Sequence, residues 1–193
     1  SHSSVSLARQ FDFVWAAVGI HPHAATELDT VVLEELRTLS EDSRVIAIGE
    51  IGLDYHYDFS PRDTQIQAFE QQLILAKELN LPVIIHTREA TEPTLELLRK
   101  YRPRGVVHCF TGSKEVAQEI LSLGMYLGYT GAVTFKGAKR VIASVEVTPM
   151  DKLLLETDCP YMAPVPYRGE RCESWMISQT AQKIAEIKGL DPQ

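Results

Sequence analysis

The sequence predicts an α/β fold, a barrel of parallel strands wrapped by helices. Three observations carry this reading. Short apolar runs alternate with amphipathic segments along the whole chain. The runs are continuously apolar rather than alternating, which suits strands buried on both faces. Polar residues capable of chemistry stand at the C-terminal ends of several runs rather than at one switch point, and no glycine-rich nucleotide fingerprint follows the first run. Both features favour a barrel over the open doubly wound sheet, the alternative for the same alternation.

The elements follow in order. Ser4–Gln10 reads as a helix, and the first strand is expected within Phe13–Ile20. A helix over Leu28–Leu39 places Val32, Leu36 and Leu39 at helical spacing, and a strand follows over Val45–Ile51. Pro61 opens a helix running to Leu79, with Ile66, Phe69, Leu73 and Ala76 on its apolar face. Strands are then expected over Leu81–Ile85, Gly105–Cys109, Met125–Tyr129 and Leu153–Glu156, with helices over Glu92–Lys100, Lys114–Leu123, Ala138–Val145 and Trp175–Ile187. These are six strand–helix units, and a complete (β/α)8 barrel takes roughly 250 residues. The expectation is therefore one barrel domain over 1–193, incomplete at its N-terminus. A fragment is the simplest reading, because missing strands leave costly sheet edges.

Composition narrows the class. The 193 residues are 45% hydrophobic and 23% charged, an ordinary globular mixture. Three cysteines, Cys109, Cys159 and Cys172, argue against a secreted disulfide scaffold, and the two beside strand ends, Cys109 and Cys159, are expected buried and inert. No apolar run reaches membrane-spanning length and no secretory signal is visible, so a cytoplasmic setting is expected, with a monomer or weak oligomer. A net charge of −7 gives no general attraction to a phosphate backbone. Any grip on nucleic acid must be local, from metal ions and a few Arg or Lys.

The strand ends carry the chemistry. They read Gly19-Ile20-His21-Pro22-His23, Gly49-Glu50-Ile51-Gly52-Leu53-Asp54-Tyr55, Ile85-His86-Thr87-Arg88, His108-Cys109-Phe110-Thr111-Gly112 and Glu156-Thr157-Asp158-Cys159-Pro160. In a barrel the strand C-termini open on one face, where active sites lie. His21, Glu50, His86, His108 and Asp158 would then share one mouth. Histidines with carboxylates make an N/O donor set suited to Zn, Mn or Mg. Glu50 has two oxygens and can bridge two ions, which would clamp the attacking and leaving oxygens of a phosphoryl group. Taken singly, His86 is an ordinary hydrogen-bonded histidine, Glu50 a salt-bridge partner and Asp158 a turn former. Metal-capable residues at four separate strand ends outweigh those separate readings. His23 fits a ligand, a substrate contact or a surface residue. Arg88 fits a phosphate fork or a rim salt bridge. His56 reads as solvent-exposed, and Lys136, Lys139 and Arg140 as a solvated helix face.

With these motifs in view the chain resembles the TatD family of metal-dependent DNases, among the amidohydrolase-like TIM barrels. The order and spacing of GIHPH (19–23), GEIGLDY (49–55), IIHTREA (85–90 with its preceding Ile84), HCFTG (108–112) and ETDCPY (156–161) carry the resemblance. It implies that Glu50 is the shared metal ligand, that His86 and His108 hold one ion, and that Asp158 holds the other and activates water. It also places His21 in the site. Beside the resemblance, the leading reading gives His21 a catalytic role, steadying the phosphate with Arg88, and takes His23 and Arg88 as the substrate-binding residues. The implied activity is Mg- or Mn-dependent DNA hydrolysis from a 3′ end; with the donor set, the expected cofactors are two divalent ions (Mg, Mn or Zn). The chain departs from the family pattern in lacking an upstream His-x-His, and in Cys172 and Ser174 where Asn and Pro are usual. Two other expectations stay open: the same barrels cleave amides and esters, including aminoacyl esters, and a chain without the upstream ligands could be an inactive binding remnant.

Overall fold

The structure is a computed structural model and describes residues 1–191. They form two compact units, Ser1–Val106 and a second beginning at Val107, with the boundary inside a strand. The first unit holds α1 (His2–Gln10), β1 (Ala16–Val18), α2 (Thr30–Leu39), β2 (Val45–Asp54), α3 (Arg62–Glu78), β3 (Val83–Arg88) and α4 (Thr91–Tyr101). β4 (Gly105–Val107) spans the boundary. The second unit continues with α5 (Lys114–Ser122), β5 (Tyr126–Tyr129), α6 (Lys139–Val147), β6 (Leu153–Leu155) and α7 (Ile177–Lys188). The strands are ordered β1 to β6 in chain order. β1 is parallel to β2, β2 to β3, and β5 to β6, the pattern that strand–helix alternation demands.

Local chemistry sets the helix starts. The Asp29 carboxylate accepts from the Val32 N–H at the start of α2, and the Ser113 hydroxyl accepts from the Val116 N–H at the start of α5. In the first unit, Ile48, Ile51 and Leu53 of β2 and Val83 and Ile85 of β3 are buried together with Phe69, Leu73 and Ala76 of α3. In the second, Met125, Leu127 and Tyr129 are fully buried, and the Tyr129 hydroxyl is 2.8 Å from Thr148 Oγ1.

The structure moves several expected boundaries. β2 and β3 run on to Asp54 and Arg88, because their ladder continues through the Gly52–His86 and Asp54–Arg88 pairs. Asp54, His86 and Arg88 therefore sit within strands rather than after them. Gly52 permits this: it has φ +143°, and a Cβ there would come within 1.9 Å of the His86 carbonyl oxygen. β1 is shorter than expected, since a turn from Phe11 to Val14 leaves Phe13 and Trp15 exposed. β4 stops at Val107, and Cys109 just beyond it takes φ +45°. β6 is not buried on both faces: Leu154 and Leu155 are each about two-fifths exposed. Of the two cysteines expected to be buried, Cys159 is exposed and Cys109 half-buried, because each lies in the loop after its strand. Cys172 is the buried one.

Candidate metal centre

The first unit gathers three of the expected site residues into one cluster. Nitrogens of His21 and His86 and a carboxylate oxygen of Glu50 lie within 4.8 Å of one another. Glu50 Oε1 is 2.8 Å from His86 Nδ1 and 3.6 Å from His21 Nε2. All three side chains are partly exposed, so the cluster is open to solvent on one side. Two imidazoles and a carboxylate form a borderline N/O set that suits Zn or Mn, and three protein ligands leave positions for water or substrate. The residues present therefore fit a divalent cation.

The two histidines are held from behind. His21 caps the 3-10 turn Pro22–Glu27, its Nδ1 accepting from the His23 N–H at 3.2 Å. That bond leaves Nε2 as the nitrogen facing Glu50. The preceding residue, Ile20, is clamped by Gln72 of α3. Oε1 accepts its N–H at 2.7 Å and Nε2 donates to its carbonyl at 3.1 Å. His86 faces Glu50 with one nitrogen and Asp54 Oδ2, at 3.2 Å, with the other. A buried carboxylate on the far nitrogen is the arrangement that fixes a ligand histidine's tautomer and ring plane.

Asp54 is the centre of this support. It is 1% exposed, and its Oδ2 is also 2.9 Å from His23 Nε2. Its Oδ1 accepts the N–H groups of His56 and Tyr57, each at 3.0 Å. Burial pushes this carboxyl up. The Tyr57 N–H, the His23 hydrogen bond and the charge and hydrogen bond of His86 outweigh burial and bring it down to about 2. Gln65, wholly buried on α3, accepts the Asp54 N–H and donates to the Asp54 and Ser60 carbonyls.

Sequence reading did not assign Asp54, Gln65 or Gln72 to the site. Asp54 stood in a quoted motif, four residues after Glu50. The glutamines carried a weaker signal: two amides at seven-residue spacing, on the helix face that also holds Phe69 and Ala76.

The other expected residues stand as follows. His23 joins Asp54 to the loop after β2. Arg88 is exposed and its guanidinium lies 4.8 Å from the Tyr57 ring centroid, while His56 is exposed and 2.7 Å from Glu89. In the second unit, His108 Nδ1 is 3.5 Å from Glu156 Oε1, which also accepts from the Cys109 N–H. Gly128 makes room for that carboxylate, since a Cβ there would lie 2.7 Å from it. Asp158 is half-buried in the loop after β6, where its carbonyl accepts from the Tyr161 N–H at 2.7 Å. Glu156 lies within the ETDCPY motif, yet the sequence assigns it no role.

A family model for the TatD related DNases matches residues 1–193. The chain belongs to the TatD family. It is 45% identical over 190 residues to the uncharacterized metal-dependent hydrolase YabD of Bacillus subtilis, covering 97% of this chain and 74% of YabD. It is 37% identical over 200 residues to the 3′-5′ ssDNA/RNA exonuclease TatD of Erwinia tasmaniensis, covering 99% of this chain and 77% of that protein. The crystal structure of YJJV, a TatD homolog from Escherichia coli K12, superposes with a TM-score of 0.92 at 31% identity, covering 99% of this chain and 75% of that one. The TatD chain described here thus has the metal-dependent hydrolase barrel fold, and is a hydrolase of that family. No helix among its described residues is long and apolar enough to cross a membrane.

Proposed function

We propose that this TatD-family chain cleaves phosphodiester bonds in single-stranded nucleic acid, DNA foremost, from a 3′ end, with two divalent cations and as one hydrolase domain. The observation that carries the reading is the His21–Glu50–His86 cluster, open on one side and braced by Asp54 on the other. Similarity along nearly the whole chain to a protein named as a 3′-5′ ssDNA/RNA exonuclease supports the substrate. Among the described residues all three cysteines are free thiols, in keeping with a cytoplasmic setting.

Glu50 and His86, with His108 and Asp158 at the ends of later strands, are the proposed metal ligands. Bound divalent cations supply Lewis-acid stabilisation for charge developing on the phosphoryl oxygens. The chain's own groups do the rest. Asp158 orients the attacking water and takes its proton as the new P–O bond forms. His21 holds the Glu50 carboxylate in place. His23 and Arg88 steady the phosphate on the side of the strand that is retained. The water's oxygen ends on phosphorus, and the ester oxygen leaves with the shortened strand.

Incubating the full chain with a 3′-ended single-stranded oligonucleotide and added Mg or Mn tests this. Metal-dependent release of mononucleotides is expected, abolished in Glu50→Ala. Absence of cleavage by a folded, metal-loaded chain overturns it.

A further inference from the structure

The seven-residue loop between β2 and α3 presents two large aromatic rings to solvent beside the metal cluster. Phe59 is 67% exposed and Tyr57 49% exposed, whereas Phe69, Phe110 and Tyr129 are all but buried. The two rings stack, with centroids 5.1 Å apart and planes 11° apart. His23 meets both edge-on, 4.9 Å from Phe59 and 5.4 Å from Tyr57, and its own centroid is 4.3 Å from that of His21. The stack is thus one imidazole away from the donor cluster. The Arg88 guanidinium lies against Tyr57, and no carboxylate among the described residues is paired with it.

The loop that carries these rings is held rigid. Asp54 takes two of its N–H groups, the buried Ser60 hydroxyl donates to the His23 carbonyl, and Arg62 grips Asp58 at 2.8 Å while lying over the Tyr55 ring. Supporting His23 needs only ring edges. It does not account for two stacked faces left in water at the rim of a hydrolase site, a cost a small polar side chain would avoid. A flat, pre-positioned aromatic surface with a free guanidinium beside it is matched to one ligand chemistry: an unpaired base, which any sequence provides, followed by a phosphate.

Resting on the phosphodiesterase reading above, we infer that Phe59 and Tyr57 form a base-stacking subsite, with Arg88 taking the adjacent phosphate, that receives an unpaired nucleobase of the substrate strand. A base inside a duplex has both faces covered by its neighbours and cannot use this surface. The subsite therefore selects single strands and frayed ends by stacking, without reading sequence. It also answers how a protein of net charge −7 holds a polyanion: the attraction is local and partly uncharged.

The test is fluorescence anisotropy of a labelled oligothymidylate with the full chain in EDTA, so that binding is read without cleavage. Phe59→Ala and Tyr57→Ala are each expected to weaken binding by about tenfold, and Phe59→Trp to restore it. The same oligomer with abasic 3′-terminal nucleotides should bind the unsubstituted chain about tenfold more weakly, and Phe59→Ala should then add less than about twofold. Unchanged melting temperatures confirm that the exposed substitutions leave the fold intact. Equal affinity in Phe59→Ala, or an equal loss on the abasic oligomer, overturns the subsite. Ring- and base-dependent binding without Mn-dependent cleavage upholds the subsite and removes the phosphodiesterase reading. Cleavage whose KM ignores both rings does the reverse.

Discussion

Replacing Asp54 by Asn isolates what its charge does. The amide is nearly isosteric, and its carbonyl oxygen can still accept the His56 and Tyr57 N–H groups that Oδ1 takes now. What changes is Oδ2, which faces His23 at 2.9 Å and His86 at 3.2 Å. In the metal-free protein the carboxyl is lowered from 3.8 to about 2 at a site 1% exposed, which corresponds to about 2 kcal/mol of stability. For a depressed acid that stability is present above the unfolded value and lost as pH falls through the folded one. Asp54→Asn should therefore cost about 2 kcal/mol near neutrality, with the gap closing between about pH 4 and pH 2. Urea titrations in EDTA across that range measure it. With the tautomer and plane of His86 no longer fixed, Mn affinity by calorimetry should fall about 10- to 100-fold, or about 1.4–2.8 kcal/mol. A stability gap that does not narrow on acidification would refute the charge assignment. A Mn dissociation constant within about twofold of the unsubstituted chain would refute the support of His86.

Other substitutions probe the same frame. Gln65→Ala removes three hydrogen bonds from a wholly buried site, and urea unfolding should show a loss of about 3 kcal/mol or more. Gly128→Ala puts a Cβ 2.7 Å from the Glu156 carboxylate, which must leave the Cys109 N–H; about 1–3 kcal/mol of stability should go, with activity reduced through His108. Peptide mapping after iodoacetamide treatment should find Cys159 modified first. Cys172 is 2% exposed, and burial, then the Cys159 thiol, push its own thiol up to about 11, so it should react only on unfolding. Chelation should abolish hydrolysis while circular dichroism stays native, because every group of the His21–Glu50–His86 cluster already has a protein partner.

The fold was legible because its dominant signal is one that sequence carries directly. Six apolar runs and the helices between them appear where periodicity placed them, to within a few residues. What periodicity cannot carry is where a ladder stops. β2 continues past Ile51 because Gly52 allows backbone to approach His86, and β1 is cut short by a turn over Phe11–Val14 that takes in Phe13 and precedes Trp15. Helical spacing predicts an α3 face of Ile66, Phe69, Leu73 and Ala76. The chain buries Gln65 and Gln72 there and leaves Ile66 half-covered, because two site loops need their backbone groups paired. A hydropathy pattern scores those amides as solvent-facing. Their role depends on carbonyls and N–H groups from elsewhere in the chain.

The same logic separates the residues that sequence found from those it missed. His21, Glu50 and His86 are chemically conspicuous and stand at or near the ends of apolar runs in the sequence, so type and position announce them. Asp54, Gln65 and Gln72 act through other groups, and their placement gives the cluster its character. Without them, His21 and His86 would be loosely held imidazoles near a carboxylate, and a cation would have to organise the ligands at its own expense, as in small zinc modules that are unfolded without metal. Here Gln72 fixes the backbone before His21, Asp54 fixes the far nitrogen of His86, and Gln65 fixes Asp54. The ligand geometry is set by α3 and the sheet before any ion arrives. Binding energy from the cation is then free to act on the phosphoryl group rather than on ordering the protein, which is the condition for electrostatic catalysis in a preorganised site.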